Sequence, residues 1–512
     1  MTHPTPVPPS VHSSPSDHAN IALLLWRTAE LSPRNAAVVE RETSTSYVEL
    51  RARAASVAAA LTRRGVEPGD RVGILLDRGA DAAAAFFGIA AAGAVAININ
   101  ETLRPRQSEY ILQHSRATAL ISEPAMLARQ PRQIDSDASV LLMNELAVAR
   151  YEPVVRVDPD FVQIVYTSGS TGLPKGVTLM HQNLWAGVRA VTQYVEITAA
   201  DRIASLLPFS FDYGFNQLLC AVATGATLVV EKSPLAQQIV TTLREREITV
   251  LPCVPPLWLQ LLRTPSFTEQ PLPALRAMTN TGGRIPIDGV RQLRRSHPNA
   301  KLFLMYGLTE AFRATYLPPE LVDEHPDAIG RAIPGSEIMV LRDDLTPCDV
   351  NEVGELVQRG ATVSAGYWGD AATTAAVFRP NPLRAEHAPD SERVVFSGDL
   401  VRRDADGILY YVGRRDRLIK SLGFRVSPDE VADVIYSSGH VAEVVVTTEA
   451  NDERGDAIVA YVVLKPHGAI EHVERFCRAE MPRYMQPSRI DVVAEIPRTT
   501  SGKFDVRNTV RT

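Results

Sequence analysis

The stretch Tyr166-Thr167-Ser168-Gly169-Ser170-Thr171-Gly172-Leu173-Pro174-Lys175-Gly176 constrains this chain more than any other. It follows an apolar run, Phe161 to Val165, that reads as a buried strand. Three glycines let the backbone turn its N–H groups toward one anion, four hydroxyl residues add donors, and one lysine supplies a full positive charge. A P-loop would place Gly-Lys-Ser/Thr at the mouth of a helix. Here Pro174 precedes the lysine and Gly176 follows it, and Val177 and Leu179 then alternate as a second strand would. The stretch is therefore a polyphosphate cradle between two strands, not a flexible Ser/Gly linker.

The remainder reads as mixed α/β. Ala-rich helical stretches such as Tyr47 to Arg64 alternate with short apolar runs at Arg71 to Leu76, Thr227 to Val230, Thr249 to Cys253 and Lys301 to Met305. After Gly413 the pattern changes to a small α+β unit. Its expected strands are Glu443 to Thr447, Ala457 to Leu464 and Ile490 to Val493, with a helix over His472 to Glu480. A chain of 512 residues suits a large assembly plus a smaller one.

Composition bounds the function classes. A formal charge of -6 gives no general attraction for nucleic acid or anionic membranes. The local run Arg414, Arg415, Arg417, Lys420 and Arg425 is basic and is read as facing a polyanionic nucleotide. Cys220, Cys253, Cys348 and Cys477 form no Cys-x-x-Cys pair, which suits a reducing cytoplasm. Residues 1–18, rich in Pro and Ser, read as a disordered tail without signal-peptide features. Ala82 to Ile97 is almost wholly apolar but shorter than the roughly 20 residues of a membrane span. Gly93 breaks it, so it is expected to be a buried helix running into a buried strand.

Five motifs in order resemble those of the adenylate-forming superfamily, which includes acyl-CoA synthetases, adenylation domains of nonribosomal peptide synthetases, and luciferases. They are the cradle itself, Tyr306-Gly307-Leu308-Thr309-Glu310, Ser397-Gly398-Asp399-Leu400, Gly413-Arg414-Arg415-Asp416 with Ile419 to Val426, and Pro497-Arg498-Thr499-Thr500-Ser501-Gly502-Lys503. Ser397 stands where the family usually has threonine. The resemblance spans nearly the whole chain. It implies a large multi-sheet adenylation domain over 19–412, a hinge over 413–416 about Asp416, and a small mobile α+β lid over 417–512 that carries the catalytic lysine.

The resemblance also implies roles. Thr167, Ser168, Gly169, Ser170, Thr171, Gly172 and Lys175 would grip the triphosphate of ATP, and Glu310 would hold Mg2+ against it. Tyr306 would pack on adenine, Asp399 would accept both ribose hydroxyls, Arg414 would add a ribose contact, and Gly282, Gly307 and Thr309 would line the nucleotide. Lys503 would bridge the attacking carboxylate and the α-phosphate, where two anions need preplaced positive charge. Asp212, Tyr213, Thr281 and Arg313 would line the acid.

Asp212 lies in Phe211-Asp212, where simple acyl-CoA synthetases commonly carry histidine and amino-acid-activating domains carry aspartate. A buried carboxylate needs a cation. A substrate ammonium, an internal lysine or arginine, or a helix N-terminus would each supply it. Arg313 is expected either to pair with Asp212 or to meet a second anionic group on the substrate.

The function expected is ATP-dependent activation of a carboxylic acid, or an amino acid, as acyl-AMP. Transfer to the pantetheine thiol of CoA or of a carrier protein would follow. No carrier-like unit is present and the chain ends just past Lys503, so an accepting carrier protein is expected to be a separate polypeptide. The alternatives are an adenylate used for an amide or an oxidation, a nucleotide binder without catalysis, and, remotely, a protein anchored through Ala82 to Ile97.

Overall fold

The structure, a computed structural model, describes residues 19–130, 134–167, 174–387, 391–417, 419–421, 424–449, 457–499 and 502–509. The expected tail over 1–18 and the cradle residues Ser168, Gly169, Ser170, Thr171 and Gly172 lie outside the described residues.

Two sheets dominate the larger part. One is 14-stranded, and its centre is parallel. Strands Ala36–Glu40, Thr227–Val230, Arg202–Ser205, Val250–Cys253, Ala277–Asn280 and Lys301–Tyr306 lie side by side in that order. Antiparallel strands, among them Thr315–Leu317, Ala328–Ala332, Leu409–Arg414 and Arg393–Arg403, extend it beyond Tyr306. The parallel strands are nearly continuous apolar runs because helices cover both faces, as parallel sheets require.

The second sheet has seven strands. Four of them, Arg71–Ile74, Val95–Asn98, Ala119–Ser122 and Ser139–Leu142, are parallel to their neighbours. Its other side carries the antiparallel pair Phe161–Thr167 and Lys175–Met180, running from Phe161 opposite Met180 to Thr167 opposite Lys175, with the short strand Gly366–Tyr367 at the edge beyond. The cradle is thus the connection between two antiparallel strands.

Local chemistry sets several boundaries. Ser46 and Glu49 form a capping box that opens helix Tyr47–Arg63, satisfying backbone donors that the first turn leaves free. Helix Ala80–Ala91 packs closely on Tyr47–Arg63 through small side chains: a Cβ on Gly88 would fall 2.6 Å from the carbonyl of Ala54. Close approach is what the alanine and glycine content permits. Gly93, at φ +76, turns the chain into strand Val95–Asn98. The apolar stretch Ala82 to Ile97 is therefore a buried helix and strand, and among the described residues no helix is long and apolar enough to cross a membrane.

The smaller part has its own core. Strands Val441–Glu449, Ala457–Leu464 and Arg489–Val492 form a sheet packed by helices Pro428–Ser437 and Ile470–Glu480. The hairpin Ile419–Ser421 with Phe424–Val426 and the helix Pro428–Ser437 were not anticipated as separate elements. The molecule is a mixed α/β protein with a large N-terminal and a smaller C-terminal domain.

Candidate active site

In open parallel sheets, ligands bind beyond the carboxyl ends of the strands, where loops diverge. Three strand ends of the parallel centre carry candidate residues here, two of them adjacent. Strand Ala277–Asn280 delivers Thr281 and Gly282, and strand Lys301–Tyr306 delivers Tyr306, Gly307 and the short helical turn Thr309–Ala311 with Glu310. The segment after strand Arg202–Ser205 delivers Asp212 and Tyr213 at the start of helix Asp212–Thr224. Thr281, Asp212 and Tyr213 are buried.

On the phosphate side, Thr167 and Lys175 face each other across the base of the cradle. The Lys175 ammonium lies 5.6 Å from the ring centre of Tyr367 and donates to Thr373 Oγ1 at 3.4 Å. The Tyr367 hydroxyl donates to Glu310 Oε1 at 2.6 Å. Burial, and then the Glu310 carboxylate, push the Tyr367 phenol above its usual range, so it remains a donor. Tyr367 thereby ties the cradle lysine to the carboxylate expected to hold the metal ion. Sequence reading missed it. The signal available was the pair Tyr367-Trp368 bracketed by Gly366 and Gly369.

On the nucleoside side, the Tyr306 hydroxyl donates to Asp399 Oδ2, and the Arg414 guanidinium lies 3.6 Å from Asp399 Oδ1. Ser397 Oγ accepts from the Asp399 N–H at 3.0 Å and donates to the carbonyl of Leu356, so the serine in place of threonine still anchors the turn. One Asp399 oxygen thus shares its lone pairs between Tyr306 and any ribose hydroxyl; a carboxylate has about four acceptor sites, which accommodates both. The basic run divides differently from the expectation. Arg414 faces Asp399, but Arg415 pairs with Asp343 at 2.9 Å and Glu355 at 3.3 Å, away from the site. Its charge is committed to holding the turn rather than a nucleotide. The side chains of Lys420, Arg425 and the hinge candidate Asp416 lie outside the described residues; the Asp416 backbone belongs to the turn Arg415–Arg417.

Lys503 reaches this cluster from the smaller domain. Its loop is a tight turn: Thr499 N–H donates to the Lys503 carbonyl at 2.7 Å, Lys503 N–H to Thr499 Oγ1 at 3.1 Å, and Gly502 sits at φ +82. The ammonium lies 5.4 Å from the ring centre of Phe211. Gly282, at φ +80, lies beneath it, and a Cβ there would meet Lys503 Cε at 3.0 Å. Burial lowers the Lys503 pKa, while the charges of Asp212 and Asp399 oppose that shift and those of Arg417 and Arg414 add to it. The charges of two carboxylates and two guanidiniums thus act on one desolvated ammonium.

Arg313 is also buried, but it does not pair with Asp212 in the expected way. Its Nη2 donates to the Asp212 backbone carbonyl at 3.2 Å and its Nη1 to the Phe312 carbonyl at 2.8 Å. The Asp212 charge acts on the Lys503 ammonium, opposing the effect of burial. Phe312 holds φ +54 and ψ −47, a conformation unusual for a bulky residue, with its ring laid on Gly187. The strain, of order 1–3 kcal/mol, is held in place by burial and aims the following arginine inward.

The family described as AMP-binding enzyme matches residues 25–368, and the AMP-binding enzyme C-terminal domain matches 430–503. The chain belongs to the AMP-binding enzyme family. It is 30% identical over 510 residues to novobiocin biosynthesis protein H of Streptomyces niveus, covering 96% of this chain and 82% of that one. To the L-proline--[L-prolyl-carrier protein] ligase of Pseudomonas fluorescens it is 28% identical, covering 92% and 95%. Of three peptide-synthase relatives the chain spans only 6%, 6% and 8% of the length. The AMP-binding fold is likewise that of o-succinylbenzoate CoA synthetase from Bacillus subtilis, solved with its acyl-adenylate intermediate. The TM-score is 0.83 at 25% identity, over 96% of this chain and 98% of that one.

Proposed function

We propose that this chain activates a carboxylic acid with ATP, releasing pyrophosphate, and passes the acyl group to a pantetheine thiol of CoA or of a carrier protein. The observation that carries the reading is Lys503: a desolvated ammonium from one domain that rests on Gly282 of the other and feels the charges of Asp212 and Asp399. In the first step an oxygen of the substrate carboxylate attacks the α-phosphorus, the bond to the β-phosphate breaks, and pyrophosphate leaves. Lys503 neutralises the two approaching anions, where an attractive charge in a low-dielectric site is worth most. Tyr306, Asp399 and Arg414 would hold the nucleoside, and Thr167 and Lys175 the phosphates. In the second step the thiolate attacks the acyl carbon and AMP leaves, with Asp416 as the turning point of the lid.

A magnesium ion fits the donor set. Glu310 offers a hard carboxylate oxygen steadied by Tyr367, and among the described residues no group of three His, Cys, Asp or Glu gathers to cage a metal. An ion held by one carboxylate plus substrate phosphates is the usual arrangement for magnesium, and it would neutralise phosphate charge. Two of the relatives and neighbours carry the two acceptors in their names, a carrier protein and CoA. Four free cysteines support a reducing, cytoplasmic setting.

Acid-dependent ATP–pyrophosphate exchange tests the reading, followed by thioester formation with CoA and with carrier proteins. Lys503→Ala should lower exchange by about 10²–10³-fold with ATP binding largely retained. Nucleotide binding without exchange for any acid would overturn it.

A further inference from the structure

Beside Tyr213 lies a small space lined by Tyr213, Asn216, Gln217, Thr279, Met305, Arg313 and aliphatic side chains, among them Val191 and Val195 of helix His181–Val195. Two donors on its polar wall, Arg313 and Asn216, stand out. Arg313 is 4% exposed, and among the described residues no carboxylate forms an ion pair with its guanidinium. The groups that feel its charge are Tyr194, Tyr213 and Cys220, all of which burial keeps neutral. Asn216 is fully buried, and its Nδ2 has no hydrogen-bond partner, its Oδ1 being taken by the Cys220 thiol at 3.4 Å. A buried guanidinium without a counter-ion and a buried amide N–H2 without an acceptor point to the same missing chemistry.

We infer that the acid activated here carries a second carboxylate, received at the closed end of the acyl pocket by Arg313 and Asn216. This rests on the reading of the Lys503 cluster as the adenylating centre. The reacting carboxylate lies toward Lys503, and the second one lies beyond Tyr213. Planar guanidinium geometry suits a carboxylate, and the rings of Tyr213 and Phe312, 5.4 and 5.1 Å from the guanidinium carbon, fix its plane. The space is small, about 10 Å³, so seating a carboxylate there requires the flexible Met305 side chain to move aside. Asp212, at the mouth, leaves open whether the acid also bears an α-ammonium, and the same experiment separates the two forms.

The test is pyrophosphate exchange with matched series: straight-chain dicarboxylates from malonate to adipate, their monoamides and their monocarboxylic counterparts. A second set is aspartate and glutamate against asparagine, glutamine and 2-aminobutyrate. At least one diacid should exceed its monoamide and monoacid partners by tenfold or more in kcat/KM. Arg313→Met should bring that ratio near one, and Arg313→Lys should keep part of it. If Arg313→Met does not fold, Asn216→Leu should still reduce the ratio. Preference for monoacids throughout the panel, or a ratio unchanged in Arg313→Met, would overturn the inference while leaving adenylation standing. Exchange with no acid of any kind would instead sink the adenylation reading on which it rests.

Discussion

Gly282→Ala probes the link between the two domains more sharply than removal of the lysine does. The position holds φ +80, where an L side chain costs about 1–2 kcal/mol. The added methyl would sit 3.0 Å from Lys503 Cε, 3.4 Å from Val254 Cγ1 and 3.6 Å from Phe211 Cζ. Val254 and Phe211 are held by packing, so the lysine stem is the part that yields, by a few tenths of an ångström. A misplacement of about 1 Å at a reacting group can cost roughly 10²-fold, so a shift of this size should slow acyl-AMP formation by about tenfold. The assay is single-turnover acyl-AMP formation, alongside thioester formation from preformed acyl-AMP, which should change little. Gly283→Ala is the control, because its Cβ meets only Pro255 and its φ lies outside the left-handed region. In a Lys503→Ala background the Gly282→Ala effect should vanish, since neighbours sharing one mechanism are non-additive. An equal loss in both backgrounds would refute the argument and assign the effect to backbone strain alone.

Tyr367→Phe removes the donor to Glu310, a charge-assisted bond worth about 1.5–3 kcal/mol; the magnesium requirement of exchange should rise about tenfold, and an unchanged magnesium titration would count against the Lys175–Tyr367–Glu310 connection. Asp212→Asn removes a charge that raises the Lys503 pKa against the lowering effect of burial. The ammonium would then be lost at lower pH, so the alkaline limb of the exchange profile should move down; movement upward would be incompatible. Burial pushes Asp433 up to about 6, with Arg284 only partly offsetting it. A carboxyl raised above its ordinary 3.8 favours docking fully below that value and loses the contribution as pH rises through about 6. Lid docking, read by protease protection, should therefore weaken across that window, Asp433→Asn should flatten the dependence, and a wild-type lid that tightens with rising pH would contradict this.

The strand-loop-strand character of the cradle, the strands at Thr227 to Val230 and Ala457 to Leu464, and the burial of Ala82 to Ile97 were legible because each is a local pattern: apolar period, turn residues and flanks. Lys503 was legible through its Ser501-Gly502-Lys503 context, although nothing local says that it meets Gly282 some 220 residues earlier in the chain. What escaped reading is three-dimensional. Tyr367 joins Glu310 through a pairing of strand Gly366–Tyr367 with Lys175–Met180, a contact that no spacing encodes. Arg415 looked like its basic neighbours, yet its partners Asp343 and Glu355 come from a distant turn and from strand Val353–Gly360. Asp212 and Arg313 were read as lining the acid, and both are buried, but the Asp212 backbone carbonyl, not its carboxylate, takes the arginine, because the turn at Phe312 sets the direction.

Two ion pairs cross to the smaller domain: Arg284 with Asp433, and Arg263 with Glu443, which Arg498 of the smaller domain also reaches at 3.1 Å. Most of these side chains keep some exposure, and exposed pairs contribute about 0–1 kcal/mol each. An apolar seam of ordinary interface size would hold the domains far more firmly. Against this weak attraction stands the desolvation of Lys503, which lowers its pKa and so opposes closure. The closed arrangement is therefore shallow by itself. Two anions placed beneath the ammonium, a carboxylate and an α-phosphate, would supply the missing counter-charge, so substrate rather than surface area should decide when the lid seats. Once pyrophosphate has gone, the same weak pairs offer little resistance to reopening, which is what a two-step reaction at one site requires.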